Sequence, residues 1–244
     1  MRYKLIVEYD GTDYSGWQVQ PNGRTVQGVL EDAAAQLFGA PVRMAAAGRT
    51  DAGVHASGQV VAFSVDNPRP IDTVLRALNA LTPFDLSIRS AEVVDDEFDP
   101  RRAARSRVYR YRIWNARWRS PFWRRYAWHI SQPLHADGMR TAAQLLLGEH
   151  DFSSFRAADC DAKHPVRRVV RSDIEVVDEQ VIYTVEANAF LRSMVRNIVG
   201  TLVEVGTGER GLDGFAAVLA ARNRTLAGDT APSCGLCLER VSYD

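Results

Sequence analysis

The hydrophobic period of residues 1–100 switches between two and 3.6 in a set order, and no other feature restricts the fold as strongly. "RYKLIVEY" alternates, with Tyr3, Leu5 and Val7 on one face, as a strand does. After the turn-rich "YDGTDYSGWQVQPNGR", Thr25 can N-cap a helix in which Val26, Val29, Leu30, Ala33 and Leu37 share a stripe. Gly39 and then Pro41 end it. "VRMAAA" and "QVVAFSV" are strand-like. Pro70 opens a second helix with Ile71, Val74, Leu75 and Leu78 inward, and "LSIRSAEVV" is a closing strand. The order is β-α-β-β-α-β, a split βαβ unit.

Residues 101–244 repeat this in outline. "RVYRYRIW" alternates as a strand, and "LHADGMRTAAQLLLG" is a helix ended by Gly148. "VVRSDIEVV" and "VIYTVEA" form a hairpin around "DEQ". A long helix, "FLRSMVRNIVGTLVEV", a shorter one, "GLDGFAAVLAAR", and a last strand, "GLCLERVSY", follow. The chain is therefore expected to be α+β, with halves at 1–100 and 101–244 and a mostly antiparallel central sheet. The division falls near "DDEFDPRRAARS", where the charge changes sign.

Charge bears on function through its placement. The 30 basic and 30 acidic side chains cancel, yet residues 101–140 hold 11 basic and 1 acidic side chain. Arg101 to Ala136 contains no Asp or Glu. Within it, "RRAARSRVYRYRIWNARWRSPFWRRYAWH" interleaves ten arginines with Tyr109, Tyr111, Trp114, Trp118, Phe122, Trp123, Tyr126 and Trp128. Guanidinium forks suit phosphate oxygens and aromatic faces suit unpaired bases, so a nucleic-acid partner is indicated. The plainer reading is an arginine-rich surface over core aromatics, answering the acidic "EVVDDEFD" upstream. "KHPVRRVVR" leans towards nucleic acid, and RNA is favoured because no helix-turn-helix or zinc-finger spacing is present. No apolar run is long enough to span a membrane, and "MRYKLIVEYD" is too charged for a signal peptide. The odd count of 3 cysteines implies a reducing cytoplasm. Cys234 and Cys237 form a lone CxxC expected to pack in a terminal strand, and no metal site is expected.

The densest chemistry lies in "GRTDAGVHASGQ", Gly48 to Gln59. Asp51 followed by Ala-Gly reads first as a turn residue. Against that, Arg49 lies two positions earlier and would project to the same side of an extended segment. Gly48 and Gly53 permit close approach of a ligand. Arg192 and Arg196, at i and i+4 in an apolar helix, call for an acid partner, although Arg196 can also cap a carbonyl or snorkel to solvent. His55 reads as structural.

Taken together, "YDGTDYSGWQVQ", "GRTDAGVHASGQVVAF", "VYRYRIWN", "GEHDFSSF" and "FLRSMVRNIVGTLVEVG" resemble the A class of tRNA pseudouridine synthases, over essentially the whole chain. The resemblance implies isomerisation of uridine to pseudouridine at positions 38, 39 and 40 of the tRNA anticodon stem-loop, with no cofactor and no metal. It implies two ferredoxin-like halves in a homodimer. By position, Asp51 matches the catalytic aspartate, Tyr109 the tyrosine that packs on the target base, and Arg196 the arginine paired with the aspartate. Arg49 matches an arginine that holds the base flipped out, and Leu236 an apolar residue of the uracil pocket. Further tRNA contacts are expected from Arg69, Arg101, Arg110, Arg112, Arg117 and Lys163. Where the family carries His-Ala-Arg-Phe, this chain has "DPRR". Two other classes remain: a non-catalytic RNA-binding module, and a metal-dependent RNA hydrolase built on "DDEFD".

Overall fold

Strand β1 (Arg2–Tyr9) buries Tyr3, Leu5 and Val7 in the computed structural model, as its alternation requires. The structure describes residues 1–158, 160, 162 and 164–244. These form two units, Met1–Arg105 with Cys237–Asp244, and Ser106–Leu236.

In the first unit β1 is followed by α1 (Val26–Phe38), β2 (Ala45–Ala46), β3 (His55–Ser64), α2 (Ile71–Leu81) and β4 (Leu86–Val94). Thr25 caps α1 by accepting the Gly28 N–H, and Gly39 ends it at φ 73. Of the α1 stripe, Val26, Leu30 and Ala33 are buried, as are Val74 and Leu78 of α2, whereas Ile71 is exposed. β1 lies between β3 and β4, antiparallel to both. Phe38 at the end of α1 packs with Tyr3 and Phe63, so the helix is tied to two strands by one aromatic cluster. The register of β1 slips between Ile6 and Tyr9 on both sides, and this irregularity re-aims the strand end that leads into Asp10. The other edge of β3 is shared. β2 takes Val61 and Ala62, while the final strand β10 (Leu236–Ser242) runs parallel through Cys237 and Leu238 to His55 and Ala56. The last eight residues thus belong with the first unit.

The second unit contains β5 (Ser106–Trp114), β6 (Trp128–His129), α3 (Ala136–Gln144), β7 (Gly148–Asp151), β8 (Val166–Val177), β9 (Gln180–Ala187), α4 (Met194–Thr207) and α5 (Leu212–Ala221). β5, β9, β8 and β7 form an antiparallel run, and β6 pairs parallel with the end of β5. The expected β8–β9 hairpin turns at Asp178 (φ 52) and Glu179. Met139, Phe152, Phe155, Ile198, Leu202 and Phe215 are fully buried and form the core. The α+β class with mostly antiparallel strands is as the periodicity indicates.

Three local readings change. α3 ends at Gln144 and Gly148 (φ 99) opens β7, so this glycine starts a strand rather than ending a helix. Cys234 lies in a 3-10 turn, Ser233–Gly235, ahead of the strand that holds Cys237. α4 begins only at Met194, because Ser193 adopts φ 57 in the left-handed region. Arg192 therefore precedes the helix and is exposed, and its i, i+4 relation to Arg196 on one helix does not form.

Candidate active site and basic surface

In the first unit the segment from Ala47 to His55 is fastened at successive residues. Ala47 N–H donates to Val60 O at 2.8 Å, and fully buried Gln59 donates through Nε2 to Gly48 O at 2.8 Å. Thr50 is buried between exposed Arg49 and half-buried Asp51, the alternation of an extended segment. Its hydroxyl lies 2.8 Å from that of Tyr9, the last residue of β1. Burial pushes the Tyr9 hydroxyl up to about 12 despite hydrogen bonds with Thr50 and Gln59, so it stays a neutral hydrogen-bonding group. The chain then turns, with Val54 N–H donating to Asp51 O at 3.1 Å and Gly53 at φ 75, the positive value that a type II turn needs.

A second layer is the loop from Asp10 to Arg24. Trp17 N–H donates to Thr50 O at 3.0 Å, and Gly53 N–H to Tyr14 O at 3.3 Å. Gly16 has φ 90, and a Cβ there would lie 2.9 Å from Thr50 O and 3.3 Å from the Asp51 carbonyl carbon. Only glycine allows this loop to lie flat against the Asp51 backbone. His55 is buried. Its Nδ1 accepts the Gly11 N–H at 3.0 Å and lies 3.1 Å from Asp10 Oδ1, so it bolts the two loops together. These bonds brace the backbone that carries half-buried Asp51, as a site on rigid elements requires.

The far side of the bracing loop is tied by Asp85. Tyr14 donates its hydroxyl to Asp85 Oδ1 at 2.6 Å, and Arg24 donates to both Asp85 oxygens at 2.7 and 2.9 Å while lying 4.2 Å over the Tyr14 ring. Burial pushes the Asp85 carboxyl up, but the bonds from Arg24 and Tyr14 outweigh it and hold it below the usual carboxylate range. A depressed carboxyl stabilises the fold above its ordinary titration and loses that contribution as pH falls through the lowered value. Exchange protection of the Ser15 and Trp17 amides, which donate to Arg24 O and Thr50 O, should therefore fall below roughly pH 4. Asp85→Asn should lose that protection already at neutral pH. Full protection at pH 7 in this variant would show that the tie does not brace the loop.

In the second unit Tyr109 sits on β5 on the face with Tyr111 and Ile113, and is 9% exposed. Phe190 meets it edge-on with centroids 4.9 Å apart. Tyr111 donates to Pro232 O at 2.7 Å, and Gly235 lies so close to the Tyr111 ring that a Cβ would approach within 2.6 Å. This seats the 3-10 turn that delivers Leu236, itself 6% exposed. Arg196, in the first turn of α4, donates Nε to Ala231 O at 2.7 Å, while Ala231 N–H donates to Arg196 O at 3.2 Å. The carbonyl-capping contact considered from sequence is thus made, and it fixes the plane of the guanidinium.

The expected RNA contacts differ in setting. Arg110 and Arg112 are half-buried on the β5 face opposite Tyr109, whereas Arg69, Arg101 and Arg117 are exposed. Asp99 accepts the backbone N–H groups of Arg101 at 2.8 Å and Arg102 at 3.0 Å, and the Arg102 N–H holds its carboxyl below the usual range. The departure "DPRR" is therefore a turn capped by its own aspartate. Lys163 lies outside the described residues. Among the described residues no group of three or more His, Cys, Asp or Glu is placed to hold a metal ion. No helix among them is long and apolar enough to cross a membrane.

Sequence reasoning missed the roles of Tyr9, Gly16, Gln59 and the Tyr14–Arg24–Asp85 tie. Only the glycine in "YSGW" carried a local signal, a turn residue beside an aromatic.

The family model described as tRNA pseudouridine synthase matches residues 5–101 and 142–244. A tRNA pseudouridine synthase A of Myxococcus xanthus is 52% identical over 245 residues, covering 99% of this chain and 92% of the relative. The protein of the same name from Geotalea uraniireducens (strain Rf4) is 47% identical over 240 residues, 98% of each chain. That of Methylobacterium sp. (strain 4-46) is 48% identical over 243 residues, 99% and 97%. With likeness of this extent along the whole length, the chain belongs to the tRNA pseudouridine synthase family, a family of isomerases.

Proposed function

We infer that this chain converts uridine to pseudouridine at positions 38, 39 and 40 in the anticodon stem-loop of tRNA, with Asp51 as the catalytic carboxylate. The observation that carries the reading is the doubly braced loop, which presents Asp51 half-exposed in a chain of this family. The reaction breaks the bond from the ribose to uracil N1 and makes one to C5. The proton leaves C5 and N1 ends protonated, so atoms balance with no co-substrate. Asp51 acts on the sugar or the base of the flipped nucleotide, at an unstacking cost of a few kcal/mol. Arg49, exposed two residues before it, takes the vacated position in the stack. Tyr109 packs on the uracil, Leu236 lines its pocket, and Arg196 pairs with the carboxylate.

The deciding experiment is release of tritium from C5-labelled uridine in an unmodified tRNA, with the product position mapped. Release from positions 38 to 40 is the expected result; absence of release, or release elsewhere only, overturns the assignment. The exposed arginines provide the binding term. Arg117→Ala should weaken tRNA binding and reduce the slope of log affinity against log salt by about 1. An unchanged slope removes Arg117 from the phosphate contacts. The reading includes Arg69, Arg101, Arg110, Arg112 and Lys163 as further tRNA contacts, and a cytoplasmic homodimer, which sedimentation equilibrium checks.

A further inference from the structure

Two large apolar side chains of the second unit lie almost bare on one short loop. Trp118 is 72% exposed and Phe122 86%. The loop joins β5 to β6, and residues 102–141 fall between the two stretches that match the family model. It is held from within. Asn115 Nδ2 donates to Ile130 O at 2.9 Å and Gln132 O at 2.8 Å, and its Oδ1 accepts the Leu134 N–H. Trp114 Nε1 donates to Trp118 O at 3.0 Å, His129 Nε2 lies 2.9 Å from Ala116 O, and Trp114 stacks on Trp123. The exposed rings are thus carried on an ordered support, at a cost in solvation that folding alone does not explain.

Their surroundings indicate the occupant. Arg117, Arg119 and Arg124 are exposed on the same loop, and the Arg117 guanidinium lies 4.9 Å from the Trp118 ring centre. Flat apolar faces flanked by guanidinium groups fit the two halves of a nucleotide, base and phosphate. With no Asp or Glu in residues 115–127 to answer these arginines, the loop calls for an anionic partner. We propose that the Trp118–Phe122 loop is a stacking platform for an unpaired nucleotide of the bound RNA, with Arg117, Arg119 and Arg124 on its phosphates. The proposal rests on the tRNA reading above and adds a recognition surface distinct in sequence from the Asp51 loop.

The test compares wild type, Trp118→Leu, Trp118→Phe and Phe122→Leu by equilibrium binding to an unmodified tRNA and to a blunt RNA duplex. Trp118→Leu and Phe122→Leu should each raise the Kd for tRNA about tenfold while leaving duplex binding unchanged. Trp118→Phe should restore most of the affinity. The salt slope should not move, because stacking releases no counterions. Thermal unfolding should also be unchanged, since both rings are exposed. Tritium release by wild type judges the function reading separately. An active wild type with unchanged tRNA affinity in both leucine variants overturns the platform alone, and a wild type that does not bind tRNA overturns both. A shift in the RNA-free oligomeric state of Trp118→Leu, with affinity per subunit retained, assigns the loop to a subunit contact and overturns the platform.

Discussion

Asp51→Asn should reduce tritium release from uridine C5 by at least about 10³-fold while tRNA affinity stays within about twofold of wild type. Asparagine is the informative replacement because it separates the two readings of the residue. In a turn, Asn serves as well as Asp, so a turn-forming Asp51 predicts an active variant. A carboxylate acting on the sugar or base has no substitute in an amide. The bonds to Gly48, Thr50, Gly53 and Val54 run through other atoms, and the Asp51 contact to Val54 is made by its backbone oxygen, so the variant retains all of these. Substantial turnover by Asp51→Asn would return Asp51 to a structural role.

Gly16→Ala is expected to have the second-largest effect, through the backbone rather than through any catalytic group. The residue sits at φ 90, and the added Cβ meets Thr50 O at 2.9 Å and Ala52 N at 3.2 Å. The conformational strain alone costs about 1–3 kcal/mol, and relief comes only by moving one loop off the other. The expected result is a lowered Tm together with a kcat drop of more than about tenfold, since small misplacements of a reacting group are costly. Gly39→Ala provides the control. Gly39 has a similar φ of 73 but nothing within 4 Å of its Cβ position, so that variant should lose stability and keep its kcat. Equal kcat values in the two alanine variants would mean that the contact between Gly16 and the Asp51 backbone does not position the carboxylate.

Within the β-α-β-β-α-β order, β1, α1, β3, α2 and β4 are each long enough to show their period, although β2 spans only Ala45–Ala46. β6, two residues long, and β7, whose first residue resembles a helix stop, show none. Ser193 was unreadable for another reason: a non-glycine residue at positive φ leaves no mark in its own identity, and Arg192 was placed on α4 as a result. Within the site, Arg49 and Asp51 could be found because they share one extended segment. Their support could not, since Thr50 reaches back 41 residues to Tyr9 and Gly11 reaches forward 44 to His55. Tyr9 continues the buried stripe of β1 and looks like any core aromatic until its hydroxyl is traced.

The return of Cys237–Asp244 to the first unit bears on how the protein is made. β3, which leads out of the Asp51 loop, gains its parallel neighbour through Cys237 and Leu238, nearly the whole chain later. At ribosomal speed, residues 65–236 separate the two partners by on the order of ten seconds of synthesis. During that interval Gly58, which fits against Glu239 in the finished unit, lies on an open strand edge, the kind of template on which nascent chains pair wrongly. The strand beside the Asp51 loop is consequently where a holdase chaperone would be needed longest.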